Sequence, residues 1–214
     1  MYNLKMKKIL IATTNKAKLK EIKNGLKPLL KQKIKLLTLT DVGVEEKPEE
    51  SGKTFCENAK IKAKFYAQKT VLPTLADDGG LIIPYLNNEP GVRSRRWLGY
   101  EASDEKLINY TLQRLKHVPK EKRIAYLQVC LCFFDPKTKK IFFEEEKIEG
   151  FIAQKPSGKA TFGYPFRALF IVKKFNKYYD ELTSKEHQQI NHRLIALKRL
   201  IKRLISDKII SCLT

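Results

Sequence analysis

Cysteine is scarce in this chain of 214 residues, and tryptophan, methionine and histidine are no more abundant: there are four cysteines, one tryptophan, two methionines and three histidines. Cys130 and Cys132 are separated by one residue, a spacing that suits neither a zinc site nor a redox C-x-x-C motif. Cys56 and Cys212 lie far from them in the sequence. The sequence therefore predicts ordinary reduced cysteines and argues against a small disulfide-stapled scaffold.

Long hydrophobic runs are also missing. No apolar run approaches the roughly 18 residues that a membrane-spanning helix needs, which argues against a membrane protein. The apolar stretch Ile9–Ala12 near the basic N-terminus is shorter than the ~7–15 residues of a signal-peptide core. We therefore expect a cytoplasmic protein with no membrane partner.

Acidic residues are outnumbered by basic ones. The chain has 43 Lys and Arg against 23 Asp and Glu, a formal net charge of +20. Such a charge favours polyanionic ligands of any kind, including nucleotides. The lysines are spread along the whole chain instead of forming a tail or arm, so we do not expect nucleic acid to be the partner. A basic nucleic-acid-binding protein stays open as an alternative from another class.

The composition and the hydrophobic patterns are those of a globular α/β protein. At 43% hydrophobic and 31% charged residues, the chain is neither disordered nor fibrous. Helical and strand-like patterns alternate along it without a repeat or a convincing linker, so we predict a single domain over residues 1–214 with a mixed sheet. The predicted strands are residues 8–13, 33–39, 123–134, 141–148 and 168–172.

Two capping boxes mark predicted helix starts. Thr54 with Glu57 opens one helix, and Thr183 with Glu186 opens another. The second is predicted to run as one long basic helix from about Ser184, with an apolar stripe that is more typical of core or dimer contact than of catalysis.

The most informative stretch is Asp77-Asp78-Gly79-Gly80, between an apolar run ending at Leu75 and another beginning at Leu81. This context predicts the end of a buried strand, a tight Gly-Gly turn and a second strand. Burying a carboxylate costs several kcal/mol unless a cation or hydrogen-bond donors compensate it. The pair therefore indicates a divalent cation or proton-transfer chemistry, although a solvated turn is the alternative.

Three other segments add to the acidic pair. Thr13–Lys18 lies at a strand-to-helix junction, which can bind an anion through free backbone N–H groups or merely cap the helix. Glu49 and Glu50 could join Asp78 on one metal or form a solvated acidic loop. Lys62 lies near the apolar face of the second helix, where it either extends past the core or points into a site.

The fourth segment is His192-Arg193, whose side chains could donate to phosphate or to a base edge. Together the segments resemble, in order and over about residues 8–200, the inosine triphosphate pyrophosphatase family of non-canonical purine nucleoside triphosphate pyrophosphatases. The most specific parts are Thr13-x-Asn15-x-x-Lys18, the run Gly52–Ala63, and Ala76-Asp77-Asp78-x-Gly80-Leu81. Pro90–Ser94 and Phe162-Gly163-Tyr164 add to them.

The resemblance implies an elongated two-lobed α/β fold with a long mixed central β-sheet flanked by helices and an active site in the cleft between lobes. It implies Mg²⁺-dependent hydrolysis of ITP, dITP or XTP to the monophosphate and pyrophosphate, in a homodimer that cleanses the nucleotide pool. Asp78, Lys18 and Lys62 would be catalytic. Glu49 and Asp78 would bind the metal, with Glu50 a near-equal candidate and Asp77 in support. The substrate would contact Thr13, Thr14, Asn15, Lys16, Ala17, Lys18, Gly79, Phe162, Gly163, Tyr164, Pro165, His187, His192 and Arg193.

The chain departs from the family pattern at several of these positions. Gly79 replaces the usual serine, and the Phe-Gly-Tyr segment runs into Pro165–Arg167 where an aspartate is usual. His187 stands where a lysine is common, and Asn191 where a serine is. These departures predict a working pyrophosphatase with shifted or weakened base selectivity. A divergent homologue that mainly binds nucleotides is the alternative within the same fold.

Overall fold

The computed structural model describes residues 7–30, 34–159 and 161–210, and it consists of helices and strands that alternate along the chain. The helices are α1 (Lys16–Leu30), α2 (Phe55–Thr70), α3 (Asp104–Arg114), α4 (Ser184–Ile190) and α5 (His192–Ser206). The strands are β1 (Lys7–Ala12), β2 (Ile34–Thr38), β3 (Thr74–Ile83), β4 (Glu89–Pro90), β5 (Ile124–Phe134), β6 (Ile141–Ile152), β7 (Phe170–Val172) and β8 (Lys177–Tyr178).

The strands form one mixed sheet in the order β2-β1-β3-β5-β6-β7-β8, with β4 paired to β3. Strand β1 is parallel to both β2 and β3, whereas β4 is antiparallel to β3 and β7 is antiparallel to β6 and β8. Helix α1 connects the parallel neighbours β1 and β2, and α2 lies on the path from β2 to β3, in keeping with the long connections that parallel strands require. The predicted α/β class with a mixed sheet and flanking helices is therefore confirmed.

The chain divides into two compact units. The first contains residues 1–78, 130–145 and 193–214, and the second contains residues 79–129 and 146–192. The prediction of a single functional domain over the whole chain stays a prediction.

Helix α1 packs its apolar face into the core of the first unit. Ile22 and Leu26 of α1 are buried, and a Cβ placed on Gly25 would lie 2.5 Å from the side chain of Leu197 in α5. Glycine at this position lets the two helices approach closely. The capping box of α2 is present, since the Thr54 side chain accepts from the Glu57 backbone N–H and the Glu57 side chain accepts from the Thr54 N–H.

The second unit has its own hydrophobic core. Helix α3 starts at an N-cap serine, Ser103, and buries Leu107. Arg123 is buried in this unit, and its guanidinium donates to the backbone oxygens of Val118, Leu115 and Ala153. These three hydrogen bonds compensate the burial of the guanidinium through backbone oxygens instead of a carboxylate. Among the helices of the described residues, none is both long and apolar enough to cross a membrane.

The predicted turn after Asp77-Asp78 is wrong, because β3 is one continuous strand through both glycines. The glycines are needed for close packing instead. A Cβ on Gly79 would lie 2.4 Å from the Gln128 backbone oxygen, and one on Gly80 would lie 2.0 Å from Ser94 Oγ. The serine that is usual at position 79 in the resembled family would meet that backbone here, which gives a steric reason for its absence.

The predicted single C-terminal helix is also wrong in one respect. Its capping box at Thr183 and Glu186 is confirmed. However, the helix is interrupted at Asn191, which has an extended backbone (φ −61°, ψ 98°) and separates α4 from α5. The interruption places the buried side chains of His192 and Arg193 in the first turn of a new helix.

The prediction that the cysteines are reduced is wrong for two of them. Cys56, in the first turn of α2, forms a disulfide with Cys130 of β5, 74 residues away in the sequence. Only the packing of α2 on the sheet brings these sulfurs together. Cys132 is a free buried thiol, and burial raises its pKa to about 12. Cys212 lies outside the described residues.

Candidate active site

The two adjacent carboxylates of β3 are both buried in the first unit. Asp77 is 1% exposed and Asp78 is 7% exposed. Neighbouring side chains along a strand point to opposite faces of the sheet, so each carboxylate has a different set of partners. The burial supports the functional interpretation of the pair and argues against a solvated turn.

Asp77 is surrounded by cations. Its Oδ2 lies 3.1 Å from Lys18 Nζ and 3.2 Å from both Nε and Nη2 of Arg193. Burial acts to raise the pKa of Asp77, but Lys18, Arg193 and Lys62 outweigh it and hold the pKa well below its usual range. Arg193 also reaches Glu21, with 2.6 Å between Nη1 and Oε2. Asp77 is therefore an ionised group that fixes two cations in place.

Asp78 has a weaker counter-charge. Its Oδ1 accepts a hydrogen bond from Lys62 Nζ at 3.1 Å, and the same ammonium lies 3.4 Å from Glu50 Oε1. Burial raises the pKa of Asp78; Lys62 and Lys18 oppose this shift only in part, and the negative charge of Glu50 adds to it. A carboxylate with a raised pKa accepts a proton more readily than an ordinary aspartate does.

Lys62 itself stays protonated. Burial alone would lower its pKa, but the charges of Asp78, Asp77 and Glu50 outweigh the burial, and the pKa of Lys62 is raised. The pKa of both groups is therefore raised: Lys62 keeps its charge, and Asp78 binds a proton more readily than an ordinary aspartate does. Of the two alternatives that the sequence left open for Lys62, the contact with Asp78 favours the one in which the side chain points into a site.

The loop before α2 is held on the helix by Asn58. This fully buried side chain accepts a hydrogen bond from the Gly52 backbone N–H at 2.8 Å through Oδ1. A Cβ on Gly52 would lie 2.6 Å from the same oxygen, so glycine is needed for the contact. The contact fixes the end of the segment that carries Glu49 and Glu50. Of these two, Glu50 is half-buried beside Lys62, whereas Glu49 is exposed.

The junction between β1 and α1 shows the capping role, while anion binding at this junction stays a prediction. Asn15 Oδ1 accepts from the backbone N–H groups of Ala17 (2.9 Å) and Lys18 (3.1 Å), so Asn15 caps the helix. The Asn15 backbone N–H in turn donates to Thr13 Oγ1 at 3.2 Å. This local order directs the Lys18 side chain to Asp77, while Thr14 and Lys16 are exposed.

The sequence predicts that Arg193 could donate to phosphate or to a base edge, whereas the structure places its guanidinium among the carboxylates of the first unit. Its second partner, Glu21, was missed by the sequence reasoning. A signal was present, because Glu21 is the one acidic residue in the sequence of α1, a helix otherwise rich in lysine. A single carboxylate one turn after Lys18 on such a helix is expected to pair with a cation.

Two of the remaining predicted substrate contacts, Tyr164 and His187, lie in one cluster within the second unit. The Arg167 guanidinium carbon lies 3.6 Å from the ring centroid of Tyr164 and 4.5 Å from that of Tyr179. The Tyr179 hydroxyl is 3.2 Å from Nε2 of His187. Arg167 and His187, which both differ from the pattern of the resembled family, therefore both contact Tyr179.

The loop before Tyr164 carries an exposed aromatic ring. Phe162 is 86% exposed, and the next residue, Gly163, has a positive φ of 83° and donates its N–H to Asp104 Oδ2 at 2.7 Å. Pro165 is buried behind it, and His192 is 5% exposed. An exposed ring on a loop fixed at its base is suited to stack on a planar ligand.

Two buried acceptors have no hydrogen-bond partner among the described residues, namely Asp77 Oδ1 and Asp78 Oδ2. A buried carboxylate oxygen without a partner is costly, and it is typical of a group that awaits a ligand. The donor set here consists of carboxylate oxygens, which are the ligands that a hard divalent cation prefers. The residues therefore fit a cation at Asp78, with Glu50 as the nearest second carboxylate.

Comparison with known proteins agrees with this chemistry. The model of the Ham1 family matches residues 9–203. This chain belongs to the Ham1 family. Among its Ham1 relatives, the dITP/XTP pyrophosphatase of Bacillus subtilis (strain 168) is 40% identical over 201 residues, which cover 93% of this chain and 98% of the relative. The dITP/XTP pyrophosphatase of Yersinia pestis is 38% identical over 203 residues, with 93% and 98% covered.

Solved structures of Ham1 proteins have the same fold. A HAM1 protein from Coxiella burnetii superposes with a TM-score of 0.82 at 36% identity, covering 94% of this chain and 100% of that one. A nucleoside-triphosphatase / dITP/XTP pyrophosphatase from Mycobacterium abscessus gives a TM-score of 0.74 at 35% identity, with 90% and 98% covered. The family resemblance inferred from the motifs is therefore confirmed.

Proposed function

We propose that this Ham1-family protein is a nucleoside triphosphate pyrophosphatase that hydrolyses non-canonical purine nucleoside triphosphates such as dITP, ITP and XTP. The products are the nucleoside monophosphate and pyrophosphate. The observation that carries the proposal is the buried Asp78, which combines a raised pKa, an unpartnered oxygen and a contact with Lys62. The names of the two curated relatives and of the structural neighbour from Mycobacterium abscessus support the choice of substrate.

In the proposed reaction, Asp78 accepts a proton from the attacking water. The water oxygen forms a bond to the α-phosphorus, and the bond from that phosphorus to the bridging oxygen breaks. The departing pyrophosphate takes the bonding electron pair, and the ammonium groups of Lys18 and Lys62 stabilise its charge. Asp77 and Glu21 keep Lys18 and Arg193 in position.

The cofactor that we propose is Mg²⁺, held by Asp78 and by Glu50 or Glu49. When bound, such a cation neutralises phosphate charge and orients the reacting groups. Glu50 is the better of the two glutamates in this structure because it already shares Lys62 with Asp78, whereas Glu49 is exposed. The homodimer, the cleft position of the site and the cytoplasmic location stay predictions.

For base recognition we propose the cluster in the second unit. A keto group at purine position 6 accepts hydrogen bonds, whereas the amino group of adenine donates them, so a site rich in donors would reject ATP by leaving its own polar groups unpaired. Arg167 and His187 differ from the family pattern at this cluster, and both pack on Tyr179. These substitutions favour a variant of the proposal in which base selectivity is altered while the hydrolysis is retained.

The experiment that tests the function is pyrophosphate release with magnesium from dITP, ITP, XTP, ATP and GTP, by the wild type, Asp78→Asn and Asp207→Asn. Asp207 is exposed and serves as the control for loss of a carboxylate. We expect turnover of the keto-purine substrates that falls by ~10²–10⁴-fold in Asp78→Asn and is unchanged in Asp207→Asn. Equal turnover of all five substrates would support the altered-selectivity variant.

The enzyme proposal would be overturned in the first case, which is no magnesium-dependent turnover of any of the five substrates by a folded wild type. In the second case, full turnover by Asp78→Asn, the activity would stand and Asp78 would be removed from the mechanism. Retained binding of a triphosphate in the first case would leave a divergent nucleotide-binding homologue. A thermal melt of each variant, followed by circular dichroism, separates loss of activity from loss of folding.

A further inference from the structure

A second basic feature of the first unit lies outside the residues that hold Asp77 and Asp78. A groove of about 730 Å³ runs between α1 and β2. Five lysines line it, and we call it the lysine groove: Lys16, Lys20, Lys23 and Lys27 from α1 and Lys35 from β2. Its apolar surface is formed by Leu19, Ile34 and Leu36, and Asn24 completes the lining.

The four helical lysines form a ladder. They follow one another at intervals of four, three and four residues, which keeps them on one face of α1. At 1.5 Å rise per residue they extend over roughly 16 Å along the helix axis. All five lysines are exposed. The lysine groove is therefore a row of positive charges beside an apolar strip, and not a single anion-binding point.

The charge of the lysine groove is not neutralised locally. Among the described residues that line it, none is an aspartate or a glutamate. Asp41 is close enough for the charges of Lys23 and Lys35 to contribute to the lowering of its pKa, after the hydrogen bonds from Thr38. Its Oδ2 accepts those hydrogen bonds, which come from the backbone N–H and the hydroxyl of Thr38. Glu21, on the same helix, is bonded to Arg193.

Lysines elsewhere in the protein do have acidic partners. Lys69 pairs with Glu46, Lys173 pairs with Glu149 at 2.7 Å, and Lys177 pairs with Glu186 at 2.7 Å. Other exposed lysines, such as Lys137 and Lys139, are not in ion pairs with the described residues either, so what distinguishes the groove is the regular row of its lysines beside apolar side chains. A row of like charges on one helix is destabilising by itself, and a polyanion would remove that repulsion.

We propose that the lysine groove binds single-stranded nucleic acid, as an accessory site beyond the hydrolysis of nucleoside triphosphates. A single strand offers a regular series of phosphates to the lysine row and apolar base or sugar surface to Leu19 and Leu36, which are half-buried. A concave groove suits a strand better than the flat surface of a membrane. None of the described residues that line the groove is aromatic, so the binding is electrostatic and independent of sequence.

The proposal is tested by fluorescence anisotropy with a labelled 20-nucleotide oligo(dT) over a range of salt concentrations. The groove variant is Lys20→Gln/Lys23→Gln/Lys27→Gln, which leaves Lys16 and Lys18 unchanged. The matched control is Lys137→Gln/Lys139→Gln/Lys140→Gln, which removes the same charge from exposed positions in the turn between β5 and β6. Turnover of XTP by each variant is measured in parallel.

We expect the wild type to bind the oligonucleotide at low salt with an affinity that falls steeply as salt rises. The groove variant should bind at least ~10-fold more weakly at low salt, and the slope of log affinity against log salt should fall by about 2, since about 0.7 counterions are released per phosphate contact on a single strand. The control should change by less than about threefold, and XTP turnover should be unchanged in both variants.

Four results would overturn the proposal. An equal loss of affinity in the control would mean that the charge acts diffusely. Absence of binding by the wild type in 50 mM salt, which is about the low end of the usual range, would mean that the groove has no such ligand. Displacement of the oligonucleotide by poly-glutamate or by anionic phosphatidylglycerol vesicles at equal charge would favour an acidic protein or a lipid surface. Displacement by equimolar XTP would make the groove part of the triphosphate site.

Discussion

Lys62 in the first unit and Arg167 in the second are both cations that the fold buries, yet they are stabilised in different ways. Lys62 is held by the carboxylates of Asp78 and Glu50, and one oxygen of Asp78 is left without a partner. Arg167 lies between the rings of Tyr164 and Tyr179. A cation among carboxylates can exchange its partners with a charged ligand, whereas a cation between two rings mainly fixes the position of those rings.

The two regions also differ in the residues that they contain. The first region contains Asp78, Lys18 and Lys62, which the family resemblance implied for the reaction, and its side chains are arranged by charge. The second region contains the departures from the family pattern at Arg167 and His187, and its side chains are arranged by packing. Changes in the first region should therefore alter the rate of hydrolysis, and changes in the second should alter the choice of base.

Replacing Lys62 should give the largest effect. Lys62→Met keeps a similar length but removes the ammonium that we propose to stabilise the departing pyrophosphate. We expect kcat to fall by about 10²-fold or more, as for the loss of one transition-state donor in other enzymes. Pyrophosphate release from XTP measures the change. Lys60→Met, at an exposed position on the same helix, is the control and should keep wild-type kcat; an unchanged kcat in Lys62→Met would remove Lys62 from the mechanism.

Removing the charge of Asp77 should act on stability as well. Asp77→Asn leaves Lys18 and Arg193 without their shared counter-charge, and breaking a buried ion pair in this way costs about 3–5 kcal/mol. Urea unfolding at neutral pH measures the loss. Asp207→Asn should stay within about 0.5 kcal/mol of the wild type, as exposed substitutions usually do. A variant at Asp77 as stable as that control would mean that the cluster contributes nothing to folding.

The contribution of Asp77 to the free energy of unfolding depends on pH. The pKa of Asp77 is lowered in the folded state, so its stabilising effect is fully present above the unfolded pKa of about 3.9 and is lost as the pH falls below that value. The stability difference between the wild type and Asp77→Asn should therefore stay constant from pH 6 to about pH 5 and shrink as the pH falls further towards 2. A difference that grows over this range would contradict the sign of the shift.

Arg167 should have a smaller effect on stability. Arg167→Met keeps an apolar side chain between the two tyrosines but removes the planar cation, and a desolvated cation–π contact contributes about 2 kcal/mol. A decrease of that size in the free energy of unfolding is expected, together with a change in the ratio of kcat/KM for XTP and ATP. Arg93→Met, at an exposed arginine, controls for the charge. If the ratio stays constant while stability falls, Arg167 is structural and the base is selected elsewhere.

The smallest effect is expected at the capping box of α4. Hydrogen bonds from Lys177 and Thr183 lower the pKa of Glu186 to about 2. The capping interaction should stabilise the protein above the unfolded pKa of about 4.3 and weaken as the pH falls towards 2. Glu186→Gln should lower the melting temperature slightly at pH 7, and the difference from the wild type should disappear near pH 2. A constant difference across this range would assign the effect to packing instead of charge.

Much of the fold could be predicted because it depends on local patterns. The apolar faces of α1 and α2, the two capping boxes and the strands β1, β2 and β5 follow from spacing and propensity, which involve neighbouring residues only. The continuous β3 could not be predicted in this way. Gly79 and Gly80 indicate a turn when only the sequence is considered, and their packing against Gln128 and Ser94 is visible only once distant segments meet.

The sequence by itself determined the chemical inventory of this protein: the acidic pair, the lysines of the β1–α1 junction and α2, and the family to which they belong. The tertiary structure decided the partners. It paired Asp77 with Lys18 and Arg193, brought Glu50 to Lys62, joined Cys56 to Cys130 and placed a row of lysines beside β2 with no acidic residue among the described residues of that groove. Charge pairs and disulfides join residues far apart in the chain, and such long-range contacts have no local sequence signal because they arise only when the hydrophobic faces pack.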